Sequence, residues 1–229
     1  MESLTKIIKL RANAEKAKIY QRFFKTDKGE YGEGDIFLGL TVPQSREIAK
    51  QFINLKLEKI SKHLNSRYHE ERLIALLILV EKYKKEKSPE IINFYLKNSK
   101  QINNWDLVDL TADKILGQHL LSKDKSTIYK LAKSDNLWER RIAIISTFAF
   151  IRNNKFEDTL KLSKTLLKDE QDLIHKAVGW MLREIGKRNQ DVLEEFLKKN
   201  YKQMPRTMLR YAIEKFPENQ RQKYLKGEV

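Results

Sequence analysis

One segment of seven residues recurs along the chain, and its spacing limits the possible fold more than any other feature. Residues 70–76 read Glu-Glu-Arg-Leu-Ile-Ala-Leu, and residues 138–144 read Trp-Glu-Arg-Arg-Ile-Ala-Ile. The two copies lie 68 residues apart, which is two steps of 34, and looser copies follow. The small residues that share one position of this repeat are Ala75, Ala143, Ala177 and Ala212. A period in the thirties built from pairs of helices is typical of an α-solenoid.

Helical periodicity extends through the whole chain. There are only 8 glycines and 4 prolines among 229 residues, and strand-like alternation is nearly absent. The apolar pattern predicts helices at residues 3–25, 43–54, 56–64, 67–85, 88–98, 104–120, 124–133, 136–152, 155–168, 171–187, 189–199, 204–215 and 217–226. The tetratricopeptide consensus is missing, which favours a HEAT-like repeat. We therefore expect an all-α, HEAT-like solenoid, an α-α superhelix with a concave basic groove, formed by residues 1–229 as a single domain.

The charge of the chain favours a polyanionic partner. There are 46 Lys and Arg against 31 Asp and Glu, which gives a formal net charge of +15. Nucleic acid is the first candidate partner and an anionic membrane surface the second. The alternative is that such a charge is ordinary in a basic proteome. Because no predicted helix concentrates its basic residues on one amphipathic face, a membrane partner is disfavoured.

Composition also disfavours several kinds of site. The chain has no cysteine, so it contains neither a disulfide nor a thiolate ligand or nucleophile. The histidines are His63, His69, His119 and His175. Since none is paired at ligand spacing, we expect no metal site. The sequence shows no signal peptide and no apolar run near 18 residues, which predicts a cytoplasmic protein, and a monomer is the default expectation.

An acidic residue stands where the repeat places alanine. Asp109 lies 34 residues after Ala75 and occupies the small-residue position of its own copy. Trp105 precedes it by four residues and shares its helix face. Trp180, moved back by two periods, falls on Ala112, one turn from Asp109. We therefore expect Trp105, Asp109 and Trp180 to face one surface, because departures from a repeat often mark functional sites.

Each of these features also has a structural interpretation. Asp109 could cap a helix or pair with Lys114, and an isolated tryptophan is more often a core residue than a ligand contact. The glycine-rich segment at residues 25–35 lacks the spacing of a phosphate-binding P-loop, and is either a connector or a lid near the groove. No aromatic pocket of the kind that base-flipping enzymes use is visible in the sequence.

Four segments together resemble the DNA alkylation repair glycosylases of the AlkD family. They are Trp105-x-x-x-Asp109, residues 138–143, residues 37–43 and residues 176–184, the last reading Lys-Ala-Val-Gly-Trp-Met-Leu-Arg-Glu. The resemblance covers roughly residues 20–220. It implies a HEAT-like fold and base excision from double-stranded DNA. The implied substrates are cationic alkylpurines such as N3-methyladenine and N7-methylguanine, released by hydrolysis of the N-glycosidic bond without a metal or cofactor. The resemblance further implies capture of the lesion without a deep base-flipping pocket.

The resemblance also implies roles for single residues. Asp109 is expected to stabilise the oxocarbenium ion that develops on the deoxyribose. Trp105 and Trp180 are expected to hold the cationic nucleotide by cation–π contact, and Arg141 its phosphate. The repeat register instead places Arg140 nearer the Asp109 face, so the two arginines compete for that role. The further DNA-binding candidates are Arg140, His175, Lys176 and Arg183.

A different function class also fits the pattern. A HEAT-like solenoid can serve as a non-catalytic scaffold that binds nucleic acid or an acidic protein, because a fold does not fix a function. Neutralising Asp109 would distinguish the scaffold from the glycosylase. A pure binder of polyanions gains from neutralising this acid, whereas a glycosylase loses turnover while it still binds DNA.

Overall fold

The computed structural model describes residues 3–229, and their secondary structure is helical. Over these residues no β-strand forms, and one isolated parallel bridge joins Ile36 to Tyr68. The predicted all-α fold is therefore confirmed. Within the same residues, no helix is both long enough and apolar enough to cross a membrane. The chain divides into two compact units, Met1–Thr111 and Ala112–Val229, which are described one at a time.

The first unit is built around one long helix. Its helices are α1 (Leu4–Leu10), α2 (Ala14–Phe23), α3 (Val42–Gln51), α4 (Leu57–Leu64), α5 (His69–Glu86), α6 (Pro89–Lys97) and α7 (Trp105–Asp109), with a 3-10 turn at Ser99–Gln101. The central helix α5 packs against α3, α4, α6 and α7. It is buried from His69 to Val80, so its first turn lies inside the protein although four polar residues begin it.

The second unit continues the pattern of helix pairs. It begins with a π-helical turn at Asp113–Gly117, followed by α8 (Gln118–Leu120), α9 (Ser126–Leu131), α10 (Leu137–Ser146), α11 (Phe148–Arg152), α12 (Glu157–Thr165), α13 (Asp172–Gly186), α14 (Gln190–Asn200), a 3-10 turn (Tyr201–Gln203), α15 (Arg206–Ala212) and α16 (Glu218–Lys226). Helix α13 is central and packs against α10 and α15. Gly179 permits the close approach of α13 to α15, because a Cβ at this position would lie 2.5 Å from the carbonyl oxygen of Met208.

The sequence repeat corresponds to a repeated hydrogen-bond arrangement. Before α5, the hydroxyl of Ser66 donates to the carboxylate of Glu71 at 2.6 Å. Before α10, the hydroxyl of Ser134 donates to Glu139 at 2.5 Å. In each copy the arginine that follows the glutamate donates to the carbonyl oxygen of the same serine, at 2.9 Å. The repeat is thus a structural unit that fixes the entry of the chain into each long helix.

Three of the predicted helices are interrupted. The predicted helix 3–25 breaks before Asn13, whose backbone N–H donates to the carbonyl of Leu38 and whose side chain caps α2. The predicted helix 104–120 is interrupted after Asp109, the last residue of α7, and the second unit opens with the π-helical turn. The predicted helix 136–152 breaks at Thr147, whose hydroxyl donates to the carbonyl of Ile144. At Asn13 and Thr147 a polar side chain bonds to the backbone where the helical hydrogen bonding is interrupted.

Candidate functional site

The short helix α7 carries two of the predicted catalytic residues. The side chain of Asn104 accepts the backbone N–H of Trp105 at 2.8 Å, which explains why the helix begins there. Trp105 opens the helix and Asp109 ends it, one turn later. Both side chains are half-buried. The predicted sharing of one helix face by the indole and the carboxylate follows from this spacing.

Trp105 is packed on other aromatic rings of the first unit. Its ring lies parallel to that of Phe24, with centroids 5.0 Å apart and an interplanar angle of 8°. Phe23 meets it edge-on at 6.0 Å. Phe24 itself stacks on Phe37 at 4.7 Å. The indole is therefore held on one side by a run of rings, which limits its rotation.

A buried histidine lies between two carboxylates next to this helix. His69 is 1% exposed, and its Nδ1 and Nε2 lie 3.0 Å from Asp35 and 2.8 Å from Asp106. Because carboxylates only accept, both ring nitrogens must donate, so the ring is an imidazolium. Burial alone lowers the pKa of His69, but the charges and hydrogen bonds of Asp106 and Asp35 outweigh it and raise this pKa to about 9.

The charges of this cluster balance one another. Arg72 donates to Oδ1 of Asp35 at 2.6 Å. The side-chain amide of Asn104 donates to Oδ2 of Asp35 at 3.3 Å, and this is the same oxygen that His69 contacts. Burial pushes the pKa of Asp35 upward, but His69 and Arg72 together hold it below its usual value. Two cations thus face two carboxylates, Asp35 and Asp106. The cluster connects α5 to α7 and to the end of the glycine-rich segment.

None of these buried charges was predicted as functional from the sequence. Asp106 is adjacent to Trp105, and His69 precedes the repeated segment, but neither stands out in the helical pattern. Asp35 ends the glycine-rich segment 25–35, which forms a series of turns between α2 and the loop before α3. The buried end of this segment favours the connector interpretation over a lid.

The motif at residues 37–43 consists of a loop, residues 37–41, and the first two residues of α3, and one carboxylate holds the loop. Glu70 accepts the backbone N–H groups of Leu38 at 2.8 Å, Gly39 at 2.7 Å and Leu40 at 3.2 Å. Gly39 has a φ of +84°, and a Cβ there would lie 2.1 Å from the carbonyl oxygen of Asn13. The glycine is therefore required by close backbone approach, and the motif is structural.

A cavity of about 360 Å³ opens beside Trp105 in the first unit. Its aromatic lining comes from Tyr20, Phe23, Phe24, Phe37 and Trp105. The sequence pattern did not reveal this cavity. The rings come from α2, the loop before α3 and α7, and no local sequence pattern brings these segments together.

The two candidate arginines of the second unit have different surroundings. Arg140 forms a paired contact with Asp169, with Nε at 2.6 Å and a second nitrogen at 3.3 Å, and donates to the carbonyls of Ser134 and Asp135. Arg141 is buried and donates to the carbonyl of Leu173. Arg140 therefore has a complete structural role, and its predicted role in DNA binding stays a prediction.

Trp180 is half-buried on α13. Its indole N–H donates to the buried carboxylate of Glu184 at 3.2 Å. The centroid of its ring lies 5.7 Å from that of Phe148. The guanidinium of Arg152 lies over the same Phe148 ring, 4.0 Å from its centroid. Trp180 is thus an oriented side chain rather than a fully enclosed core residue. That it shares one surface with Trp105 and Asp109 stays a prediction, as does the pairing of Arg141 with the lesion.

The remaining DNA-binding candidates lie on α13 and have protein partners. The ring of His175 donates to the carbonyl of Asp169. Lys176 pairs with Asp172 at 2.7 Å, and Arg183 pairs with Glu214. Their predicted DNA contacts stay predictions. Among residues 3–229, no group of three or more histidine, aspartate or glutamate side chains is placed to hold a metal ion.

An all-α, helical-repeat protein with an indole and a carboxylate on one short helix is the class that these observations define. The family model of the DNA alkylation repair enzymes matches residues 4–216. The chain therefore belongs to the DNA alkylation repair enzyme family, and the predicted family is confirmed.

Two solved structures share the fold. A predicted DNA alkylation repair enzyme from Enterococcus faecalis is 19% identical, covers 90% of this chain and 97% of its own, and superposes with a TM-score of 0.72. The protein smu.31 from Streptococcus mutans UA159 is 22% identical, covers 93% of this chain and 96% of its own, with a TM-score of 0.55. At these identities the likeness concerns the fold alone. No curated protein matches the chain.

Proposed function

We propose that this protein is a monofunctional DNA glycosylase that removes cationic alkylated purines, of the N3-methyladenine and N7-methylguanine type, from double-stranded DNA. Membership of the DNA alkylation repair enzyme family supports action on alkylated DNA. The proposed reaction needs water and the DNA, and it opens base excision repair. We further propose that the chain forms one HEAT-like domain and acts as a monomer in the cytoplasm.

The proposed chemistry rests on the charge of the substrate. Alkylation at N3 or N7 makes the purine cationic, so it leaves as a neutral base and needs little help from an acid. The deoxyribose then carries the positive charge as the N-glycosidic bond lengthens. A carboxylate placed near C1′ stabilises this charge and can orient the attacking water. In this proposal Asp109 supplies the carboxylate.

Aromatic and basic side chains hold the nucleotide in the proposed complex. An indole attracts a cation with about 0.5–2 kcal/mol, so Trp105 and Trp180 favour the alkylated base over a neutral one. Arg141 is assigned to the phosphate beside the lesion, where a guanidinium can donate two parallel hydrogen bonds. The net charge of +15 favours the duplex backbone and predicts binding that weakens steeply with salt.

The observation that carries the proposal is the rigid setting of Trp105 and Asp109. The helix between them begins at the Asn104 cap, its second residue Asp106 is bonded to a buried histidine, and the indole is stacked on Phe24. Electrostatic stabilisation of a transition state depends on such preorganisation, because the protein then spends little free energy on reorienting during the reaction. A purely scaffold-type binder needs no such support for an acid and an indole.

The deciding experiment measures free base released from methylated duplex DNA, together with DNA affinity. We expect the wild type to release methylpurine, and Asp109→Asn to lose at least about 100-fold in rate while it binds DNA as well or better. Asp191→Asn is the matched control, because Asp191 is an exposed acid in the first turn of α14. Salt-sensitive DNA binding without release by the wild type would instead make the non-catalytic scaffold the better explanation.

A further inference from the structure

A groove of about 600 Å³ lies between α12 and α14 in the second unit. Its floor is apolar. Leu160 and Leu167 come from α12 and the turn after it, and Val192 and Phe196 come from α14. Leu160 and Val192 are only half-buried, so the floor keeps apolar surface that a partner can cover. The proposed function assigns no role to this groove.

Lysine side chains surround the apolar floor. Lys161 and Lys164 on α12 and Lys168 in the following turn stand three and four residues apart, so they form one basic row. Helix α14 contributes Lys199. Among the described residues that line the groove, Glu195 is the only acid. The rim therefore has an excess of positive charge.

The acids that already pair with this rim leave it accessible to a partner. Lys161 pairs with Glu157 and Lys199 pairs with Glu195, each at 2.6 Å and one helical turn apart. All four of these side chains are more than half exposed. Exposed pairs of this kind are weak, because water and salt screen them. The other two lysines of the rim are exposed as well.

The combination of an apolar floor with a basic rim indicates the chemistry of the partner. An amphipathic helix with acids beside its apolar face satisfies both parts, because that face fills the groove while the carboxylates meet the lysines. Helix α12 is nine residues long, about 14 Å, which two or three turns of a bound helix can follow.

Nucleic acid fits this groove less well. Duplex DNA offers phosphates to the lysines but no apolar group that fills the floor. Unstacked bases need exposed aromatic faces, whereas the ring of Phe196 is 8% exposed. An acidic protein segment is therefore the better match.

We propose that the groove between α12 and α14 binds an acidic amphipathic helix of a partner protein. The residues assigned to base release lie on α7, α10 and α13, so this docking site does not rest on the proposed function. Binding there attaches a partner protein to the chain without using the residues assigned to the reaction.

The test uses the full chain and a fluorescently labelled synthetic peptide of about 18 residues, a length that supports a helix, with leucines every three or four positions and glutamates between them. We expect saturable binding in fluorescence anisotropy that weakens as salt rises. Lys164→Glu combined with Lys168→Glu should weaken this binding at least about tenfold, because like charges then face each other. A peptide with alanine for every leucine should also bind at least about tenfold more weakly, although its charge is unchanged.

Lys198→Glu combined with Lys223→Glu is the matched control. Both lysines are exposed, lie in the last turns of α14 and α16, and do not line the groove. The control makes the same change in net charge and should leave the peptide affinity within about twofold of the wild type. Because every substituted side chain is exposed, both double variants should fold, and matching thermal unfolding curves verify this.

Three results would overturn the site. The first is no saturable binding of the peptide by the wild type at concentrations up to about 0.2 mM. The second is an equal loss of affinity in the two double variants, which would mean that net charge alone attracts the peptide. The third is unchanged affinity for the alanine peptide.

A DNA-binding role of the groove has its own signature. Weaker binding of unmodified duplex DNA by the Lys164 and Lys168 variant than by the control, with unchanged peptide affinity, would make the groove a DNA contact and overturn the proposal. Release of methylpurine should be equal in the two double variants. The peptide assay needs no DNA, so failure of the docking site and failure of the glycosylase are distinguishable.

Discussion

The Nε2 of His69 lies 2.8 Å from a carboxylate oxygen of Asp106, and this bond connects the central helix of the first unit to the helix that carries Trp105 and Asp109. Both side chains are buried. An ionised pair in such a place is costly to break, because removing one partner leaves the other charge buried and uncompensated. The setting of the proposed catalytic helix therefore depends on the protonation of one imidazole.

The first prediction concerns pH. The pKa of His69 is about 9 in the folded protein against 6.5 for the ordinary side chain, so the protonated ring stabilises the fold. Because the folded value is raised, this stabilisation is complete below pH 6.5 and is lost as the pH rises through about 9. We expect the free energy of unfolding to fall by up to about 3 kcal/mol across this window, as measured by urea denaturation.

His69→Gln provides the control for this pH dependence. An amide cannot donate to both Asp35 and Asp106 as the imidazolium does, so the variant should be less stable near pH 6.5 by about 2–4 kcal/mol. Its stability should then be nearly flat up to pH 9. An unchanged slope in the variant would assign the pH dependence to other groups.

The second prediction concerns the loop that Glu70 holds. Gly39 and Gly29 both have positive φ angles, but a Cβ at Gly39 would lie 2.1 Å from a backbone oxygen, whereas nothing lies within 4 Å of a Cβ at Gly29. Gly29→Ala should therefore cost only the backbone strain, about 1 kcal/mol. Gly39→Ala should cost more than about 2 kcal/mol, because the backbone must also move. Equal losses in thermal unfolding would argue against the close approach.

The positions of most helices along the chain could be predicted from the sequence, while the buried charges could not. Apolar periodicity is local, so most helix positions were predicted within a few residues. The polar start of α5 looks like an exposed first turn, yet the partners of His69 and Glu70 lie 30 to 37 residues away along the chain. A pattern within one helix holds no information on such partners.

The aromatic cavity escaped prediction for the same reason. Phe23, Phe37 and Trp105 belong to three segments, and each ring on its own is an ordinary apolar residue of its element. By contrast, Trp105 and Asp109 were visible because they lie on one helix turn and interrupt a repeat. A residue that breaks a repeat can be recognised in a sequence, whereas contacts between ordinary apolar residues of distant segments cannot.

The third prediction separates Arg140 from DNA binding. Its guanidinium forms a paired contact with Asp169, whose side chain is 5% exposed. Arg140→Gln and Asp169→Asn should each lower the free energy of unfolding by about 1–3 kcal/mol. The double variant should lose less than the sum, with a coupling of about 0.5–3 kcal/mol in a double-mutant cycle. Strictly additive losses would leave Arg140 available for another partner.

The fourth prediction contrasts two tryptophans. Trp138 is 7% exposed in the core at the start of α10, whereas Trp105 is half-buried at the proposed lesion site. Trp138→Phe should lower the free energy of unfolding by about 1–3 kcal/mol, because it leaves a cavity, and base release should persist. Trp105→Phe should leave stability nearly unchanged, because a phenyl ring can still stack on Phe24.

The rate of methylpurine release should be affected by Trp105→Phe and not by Trp138→Phe, the opposite of the order expected for stability. A phenyl ring binds a cation less strongly than an indole, so Trp105→Phe should slow release by about three- to tenfold under single-turnover conditions. A neutral purine gains nothing from cation–π contact, so affinity for unmodified duplex should not change. If Trp105→Phe instead lowers stability as much as Trp138→Phe and releases base at the wild-type rate, Trp105 is a packing residue, and recognition of the cationic base must lie elsewhere in the protein.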